Sequence, residues 1–271
     1  MLVVDSITKL PPNAGGAVAI AASHGGVYPA WLAATAGLRG VVLHDAGVGL
    51  DEAGVAGLAY LDALGHPAAT VSHTSARIGD GSDLARRGVI SRVNATAAAV
   101  GCAPGMAAVD CADRFESVAV SASVAPTQPQ SRFTLRSRVG GVSRRAGGPL
   151  VIGLDSISLA RRGDEPAVLV SGSHGGLLGG VAASALRVDA VAAIYNDAGV
   201  GVDAAGISRL AALDRRGVPA ATVDAFTARI GSARSTWETG IVSHVNRAAA
   251  ALGARPGMAC QKLVMLVHAG D

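Results

Sequence analysis

Residues 171–176, SGSHGG, follow the apolar run AVLV and precede LLGGVAASAL; AASHGG at 21–26 follows AVAI in the same way. A tight turn asks for glycine but not for histidine. An imidazole is the side chain most readily poised for proton transfer near neutral pH, so His24 and His174 are expected to act as general acid or base, a structural bond to a loop carbonyl being the alternative. Of the seven histidines these two recur at matched positions, whereas His44, His66, His73, His244 and His268 have no counterpart. Gly25–Gly26 and Gly175–Gly176 fall where a strand passes into a helix. Backbone N–H groups exposed at a helix N-terminus favour an anionic ligand.

Two more polar pairs recur. Asp45 and Asp197 each open a DAGVG loop and are expected to orient the imidazole, to accept a substrate hydrogen bond, or to cap a local turn. Arg77 and Arg229, in ARIG, present planar forks suited to a carboxylate or phosphate, or to a nearby loop aspartate. Asp51 and Asp203 read as helix N-caps, and Asp62 and Asp214 as solvated charges late in a helix. Ser91/Ser243 and Asn94/Asn246 recur inside the expected last helix, where a polar contact between helix and sheet accounts for them.

The stretches AASHG and SGSHG, each between a strand and a helix, are similar to the G-x-S-x-G nucleophile elbow of α/β hydrolases. That resemblance implies Ser23 and Ser173 as nucleophiles, with the backbone N–H of His24 or His174 facing an oxyanion. The sequence departs from it in two respects: the first glycine is Ala21 or Ser171, and no downstream histidine recurs in both copies. Pseudo-symmetric amino-acid racemases also fuse two α/β halves but rely on a matched cysteine pair, and here Cys102 stands opposite Ala254 and Cys260 opposite Ala108. The dinucleotide fingerprint, the G-K-[ST] phosphate loop, C-x-x-C and H-E-x-x-H are all missing. No zinc site can be assembled from recurring residues, and no cofactor is assigned.

The elements that must position these groups come in two sets. DAGVGLDEAGVAGLAYLDALGHPAATVSHTSARIG (45–79) and DAGVGVDAAGISRLAALDRRGVPAATVDAFTARIG (197–231) agree at 22 of 35 positions without a gap. Outside them VVDSI answers GLDSI, GVISRVN answers GIVSHVN, and PGMA occurs twice. Such a period is too long for a solenoid and reads as two fused domains. The expected organisation is a first α/β repeat at 1–118, a Pro/Gly/Arg-rich linker at 119–149 and a second repeat at 150–271. Short continuous apolar strands alternate with helices, which indicates parallel sheets covered on both faces. In the second copy helices are predicted over 176–187, from Asp203 onward, and over 235–253, closed by Gly253. The fold class is thus α/β, two tandem homologous three-layer domains with mainly parallel sheets. Ligands of such sheets bind outside the carboxyl ends of the strands, which places all the recurring groups on one rim of each domain.

Half the chain is apolar and 16% is charged, which excludes a disordered chain. The formal charge of +3 is small, and the arginines at 132, 136, 138, 144 and 145 have a single aromatic, Phe133, among them, so they read as a solvated connector rather than a nucleic-acid platform. Three cysteines without regular spacing argue against a disulfide scaffold and for a reducing compartment. With no basic-then-apolar leader and no uninterrupted run of roughly 18 apolar residues, a cytoplasmic protein is expected, with neither membrane nor nucleic-acid partner. The function expected is hydrolysis of an amide or related bond in a small polar or anionic metabolite, performed by a homo-oligomer. Isomerase or lyase chemistry through a His/Asp pair, and a non-catalytic small-molecule binding protein, are the alternatives.

Overall fold

Runs of Val, Ile, Leu and Ala without polar alternation need burial on both faces of a sheet. The computed structural model describes residues 1–135, 150–165 and 167–269, and builds from those runs two mixed, mostly parallel sheets with helices, an α/β architecture. The first sheet runs in the order β1 (Leu2–Val4), β2 (Val18–His24), β3 (Gly40–His44), β4 (Ala68–Val71) and β5 (Ile90–Val93). Its first four strands are parallel and β5 is antiparallel to β4. The second sheet comprises β6 (Arg132–Leu135), β7 (Leu150–Leu154), β8 (Ala167–His174), β9 (Ala192–Asn196), β10 (Ala220–Val223) and β11 (Val242–Val245). Here β7 to β10 are parallel, flanked by antiparallel β6 and β11. No helix among the described residues is long and apolar enough to cross a membrane.

In both sheets the strands stand in chain order, so every crossover steps the same way. Right-handed crossovers then gather on one face. In the first half α1 (Val27–Thr35) and α2 (Gly57–Asp62) share an apolar layer with Leu38, Val41 and Leu43. The other face, carrying Ile20, Val42 and Val71, is closed by α3 (Gly81–Arg87) and α5 (Ala108–Phe115), while α4 (Ala95–Ala99) lies between them in the chain. A sheet whose strand order never reverses has no switch-point crevice of its own. Any cleft must be completed from outside it, and the second half does so.

The second half departs from the sequence expectations in three places. Residues 176–187 form a loop with one 3-10 turn at Ala182–Ser184, not a helix. Gly179 and Gly180 adopt φ of 58° and 69°, and the Arg209 guanidinium, in place of Gly57, reaches the carbonyls of Gly176, Ser184 and Ala185. In the first half a Cβ on Gly57 would lie 2.6 Å from the carbonyl oxygens of Gly25 and Gly26 and 2.7 Å from Ala30 Cβ, so glycine is what admits α1.

The expected helix over 235–253 is three elements: α7 (Ala233–Glu238), the edge strand β11, and α8 (Arg247–Ala251). α6 (Arg209–Asp214) precedes β10 and α9 (Cys260–Ala269) closes the chain. Val242–Val245 pairs with β10, and Asn246 restarts the helix as its N-cap. The linker expected at 119–149 contributes β6, paired with β7, and Arg132 there binds the buried Asp164 at 2.6 and 2.9 Å rather than being solvated. Its arginines 136, 138, 144 and 145 lie outside the described residues.

Asn94 and Asn246 do the same work in each half. Asn94 Oδ1 accepts from the Ala68 and Ala97 amides, and its Nδ2 donates to the His66 carbonyl at 2.7 Å. Asn246 repeats this with Ala220, Ala249 and Val218. Each amide thus caps a helix and ties it to a strand while buried. Asn94→Ala is expected to cost about 2 kcal/mol, a cap plus unsatisfied buried backbone groups, measured by urea unfolding.

Candidate functional site

Parallel strands put their carboxyl ends on one rim, and the rims of the two halves meet. The contacts between them are reciprocal, as in an isologous interface where i touches j and j touches i. Leu50 N–H donates to the Ala225 carbonyl and Val202 N–H to the His73 carbonyl, both at 2.8 Å. Ala46, Ile78, Ala198, Ala205 and Ile230 form a small apolar cluster drawn from both halves. His24 packs against Gly231 of the second half and His174 against Gly79 of the first.

The DAGVG loops make this junction under strain. Ala46, Gly47, Val48 and Gly49 have φ of 50°, 73°, 63° and 70°, and Ala198 to Gly201 repeat the pattern within 1°. A β-branched residue in the left-handed region is a genuine outlier. Asp45 is the clamp: its Oδ1 accepts from the amides of Gly47 (3.1 Å) and His73 (2.9 Å) and from His73 Nδ1 (3.0 Å). Asp197 accepts from the Gly199 and Ala225 amides, both at 3.0 Å. Burial pushes the Asp45 carboxyl up, but the His73 hydrogen bond and the nearby imidazoles bring it below its ordinary value. The same bond raises His73. Asp197, with Ala225 in place of that imidazole, is raised by its burial. The hydrogen bonds of both aspartates run to their loops, and neither reaches His24 or His174.

Arg77 and Arg229 also bind within the protein. Arg77 pairs with Asp203 at 2.9 Å and Arg229 with Asp51 at 2.5 Å, each across the junction. Asp51 and Asp203 have φ of 53° and 56° inside the loop turns, so neither is the helix N-cap its position suggests. The glycine amides expected to face an anion are occupied as well. Gly25 N–H goes to the His44 carbonyl and Gly175 N–H to that of Asn196, while Gly26 and Gly176 donate to His24 Nδ1 (3.2 Å) and His174 Nδ1 (3.1 Å).

That last pair of bonds fixes the state of the rings. A backbone N–H can only donate, so each Nδ1 must carry a lone pair, and the neutral ring has its proton on Nε2. Burial and the neighbouring His44 push His24 down to about 4. Burial, then the Arg209 guanidinium and the other imidazoles, hold His174 well below the ordinary range. Neither Nε2 hydrogen-bonds to any of the described residues, and both rings line a cavity of about 110 Å³ between the halves. His44 behaves differently: its Nδ1 accepts from Ala46 N–H and its Nε2 reaches the Ala76 carbonyl, both at 3.0 Å. Asn196 makes the same two contacts, with Ala198 and Ala228, so a structural amide answers a structural histidine.

Ser23 and Ser173 also line the cavity. Ser23 Oγ accepts from Ile7 N–H at 3.0 Å and lies 3.4 Å from Ser6 Oγ; Ser173 Oγ accepts from Ile157 N–H at 2.9 Å. No imidazole or carboxylate is among their partners. Of the sequence candidates, the structure therefore gathers His24, His174, Ser23 and Ser173 at one cavity, and leaves Asp45, Asp197, Arg77 and Arg229 in the junction beside it. Sequence reasoning missed Arg209, which also lines the cavity. The signal was present, since the internal alignment sets Arg209 against Gly57. Among the described residues no group of three or more His, Cys, Asp or Glu is placed to hold a metal ion. Compared with protein-family models, curated proteins and solved structures, the chain finds no match.

Proposed function

We propose that the cavity between the two rims binds a small polar molecule bearing a carbonyl or carboxylate oxygen, with His24 and His174 as neutral Nε2–H donors. The observation that carries this is the pair of Nδ1 contacts to Gly26 and Gly176, which commits each cavity-lining ring to donation from Nε2. Neutral imidazoles of this kind polarise a carbonyl and stabilise negative charge growing on its oxygen. Hydrolysis of an amide or related bond is the reaction that uses such donors. Water adds to the carbonyl carbon, the oxygen takes negative charge between the donors, and collapse expels the amine with the proton water gave up. Among the described residues no carboxylate hydrogen-bonds to either ring, which favours this role over His/Asp acid–base chemistry. We read the chain as a tandem duplication whose halves pair as two subunits would, so that one cavity draws a histidine from each.

Substitution tests this. Asn196 shows that an amide can both accept the i+2 N–H and donate where a ring Nε2 would, so His24→Asn and His174→Asn keep an acceptor and a donor and serve as folded controls, whereas His24→Ala and His174→Ala remove the Nε2–H. Each Ala variant is expected to weaken binding or turnover of small amides about ten-fold or more, and each Asn variant less. A double Ala variant that folds and binds and turns over such ligands as the parent does would overturn the proposal.

A further inference from the structure

Beside the paired imidazoles lies a buried cation with no counter-charge among the described residues. Arg209 is 3% exposed. Its Nε donates to the Gly176 carbonyl at 2.9 Å, and its Nη1 to those of Ser184 (2.6 Å) and Ala185 (2.5 Å). The guanidinium stands 5.3 Å from the centre of the buried Tyr195 ring. Carbonyl and ring dipoles solvate a charge without neutralising it, and among the described residues no carboxylate lies within ion-pair distance of Arg209. The chain handles buried charge differently elsewhere: buried Asp83 binds Arg86 and Arg87, and buried Asp164 binds Arg132. A buried charge persists when it is paired, and the cavity that Arg209 lines is open to a ligand that could pair with it. Among the described residues its Nη2 donates to no carbonyl or carboxylate.

The surroundings select the sign of a ligand. Lys9 and Arg187 stand at the exposed edge of the same cavity. Asp155, a carboxylate in its lining, is already held by the Ser131 and Ala233 amides at 2.7 and 2.9 Å. We propose that Arg209, with His174 beside it, is the receptor for a carboxylate group on the molecule bound between the halves, an inference that rests on the cavity being a ligand site. Because the first half has Gly57 at the matching position, the buried cation of the cavity stands on the second half's side alone. A ligand enters with its carboxylate toward Arg209 and its amide or carbonyl toward His24. The substrate class is a short carboxylic acid with an amide at its other end.

The test uses the full chain at pH 7.5 and constant ionic strength, titrated separately with acetate and with its uncharged counterpart acetamide. The ring resonances of His24 and His174, assigned with the Asn variants, report binding. Acetate is expected to shift His174 saturably, at least ten-fold more tightly than acetamide. Arg209→Gln, which retains a donor for the loop carbonyls, is expected to lose that preference. Acetamide binding as tightly as acetate in the parent chain, a comparison that needs no variant, overturns the carboxylate assignment while leaving the cavity a ligand site. An unchanged preference in Arg209→Gln assigns the anion to another group and overturns it too. If neither compound shifts either ring, the cavity itself is not a ligand site and both proposals fall together.

Discussion

Lowering the pH from 6.5 to 4 is expected to remove about 3 kcal/mol of stability through His24 alone, since its folded-state value is about 4 against 6.5 in the unfolded chain and each unit is worth about 1.4 kcal/mol. The sign follows from proton counting. Above pH 6.5 neither state binds the proton, so the group contributes nothing. Below it the unfolded chain takes up a proton that the folded ring refuses, and stability falls until the folded value is reached. His44 and His174 are also lowered, chiefly by burial, and add to the same slope. His73 is raised by Asp45 and acts the other way and elsewhere: its contribution is complete below 6.5 and is lost as pH rises through its folded value. Asp83 and Asp164 are held below 3.8, so their contribution disappears at still lower pH. Urea unfolding at half-unit steps between pH 7 and 4 measures the slope. His44→Asn, for which Asn196 is the precedent, is expected to leave a folded protein with one proton fewer taken up on unfolding. A flat profile between pH 6.5 and 4, or an unchanged slope in that variant, would show that these rings are not buried as neutral donors.

The same residues explain what could be read from the sequence. The strands were legible because AVAI, VVL and VLV admit no other burial, and their parallel pairing put His24, Asp45 and Arg77 on one rim. The partners on that rim were not legible. Arg77 and Asp203 are 126 positions apart and bind across a junction whose geometry no local pattern encodes. Asp203 followed by a helical pattern has the look of a cap, yet its φ of 56° comes from a left-handed turn set by the neighbouring DAGVG loop. The 235–253 segment has the length of one helix and a glycine to close it, and only pairing with β10 decides that 242–245 is a strand. Arg209 is invisible to a comparison of matched residues, because it stands opposite Gly57. Agreement between the two halves marks what they share in scaffold, and a mismatch of this kind marks what one half alone brings to the cavity.

Gly47→Ala is expected to cost about 3 kcal/mol, well beyond the same change at Gly65. Both glycines are left-handed, at φ of 73° and 70°, so both substitutions carry the backbone strain of about 1 kcal/mol. The difference is what a Cβ meets. At Gly65 nothing lies within 4 Å, whereas at Gly47 it would stand 2.8 Å from Gly199 Cα and 3.2 Å from the Ala198 carbonyl of the other half. Those are backbone atoms of a strained turn clamped by Asp197, and they cannot rotate away as a side chain would. Overpacking of this kind adds about 1–3 kcal/mol. Gly199→Ala meets Gly47 Cα at 2.8 Å from the opposite direction, so the two methyl groups compete for a single gap. Once one has forced the loops apart, the other finds part of its room already made. The double variant is therefore expected to cost less than the sum of the singles, a coupling of about 1 kcal/mol that a double-mutant cycle resolves. Strict additivity, or a Gly47→Ala no worse than Gly65→Ala, would mean that the two loops do not meet. The reciprocal junction that brings His24 and His174 to one cavity would then have no basis.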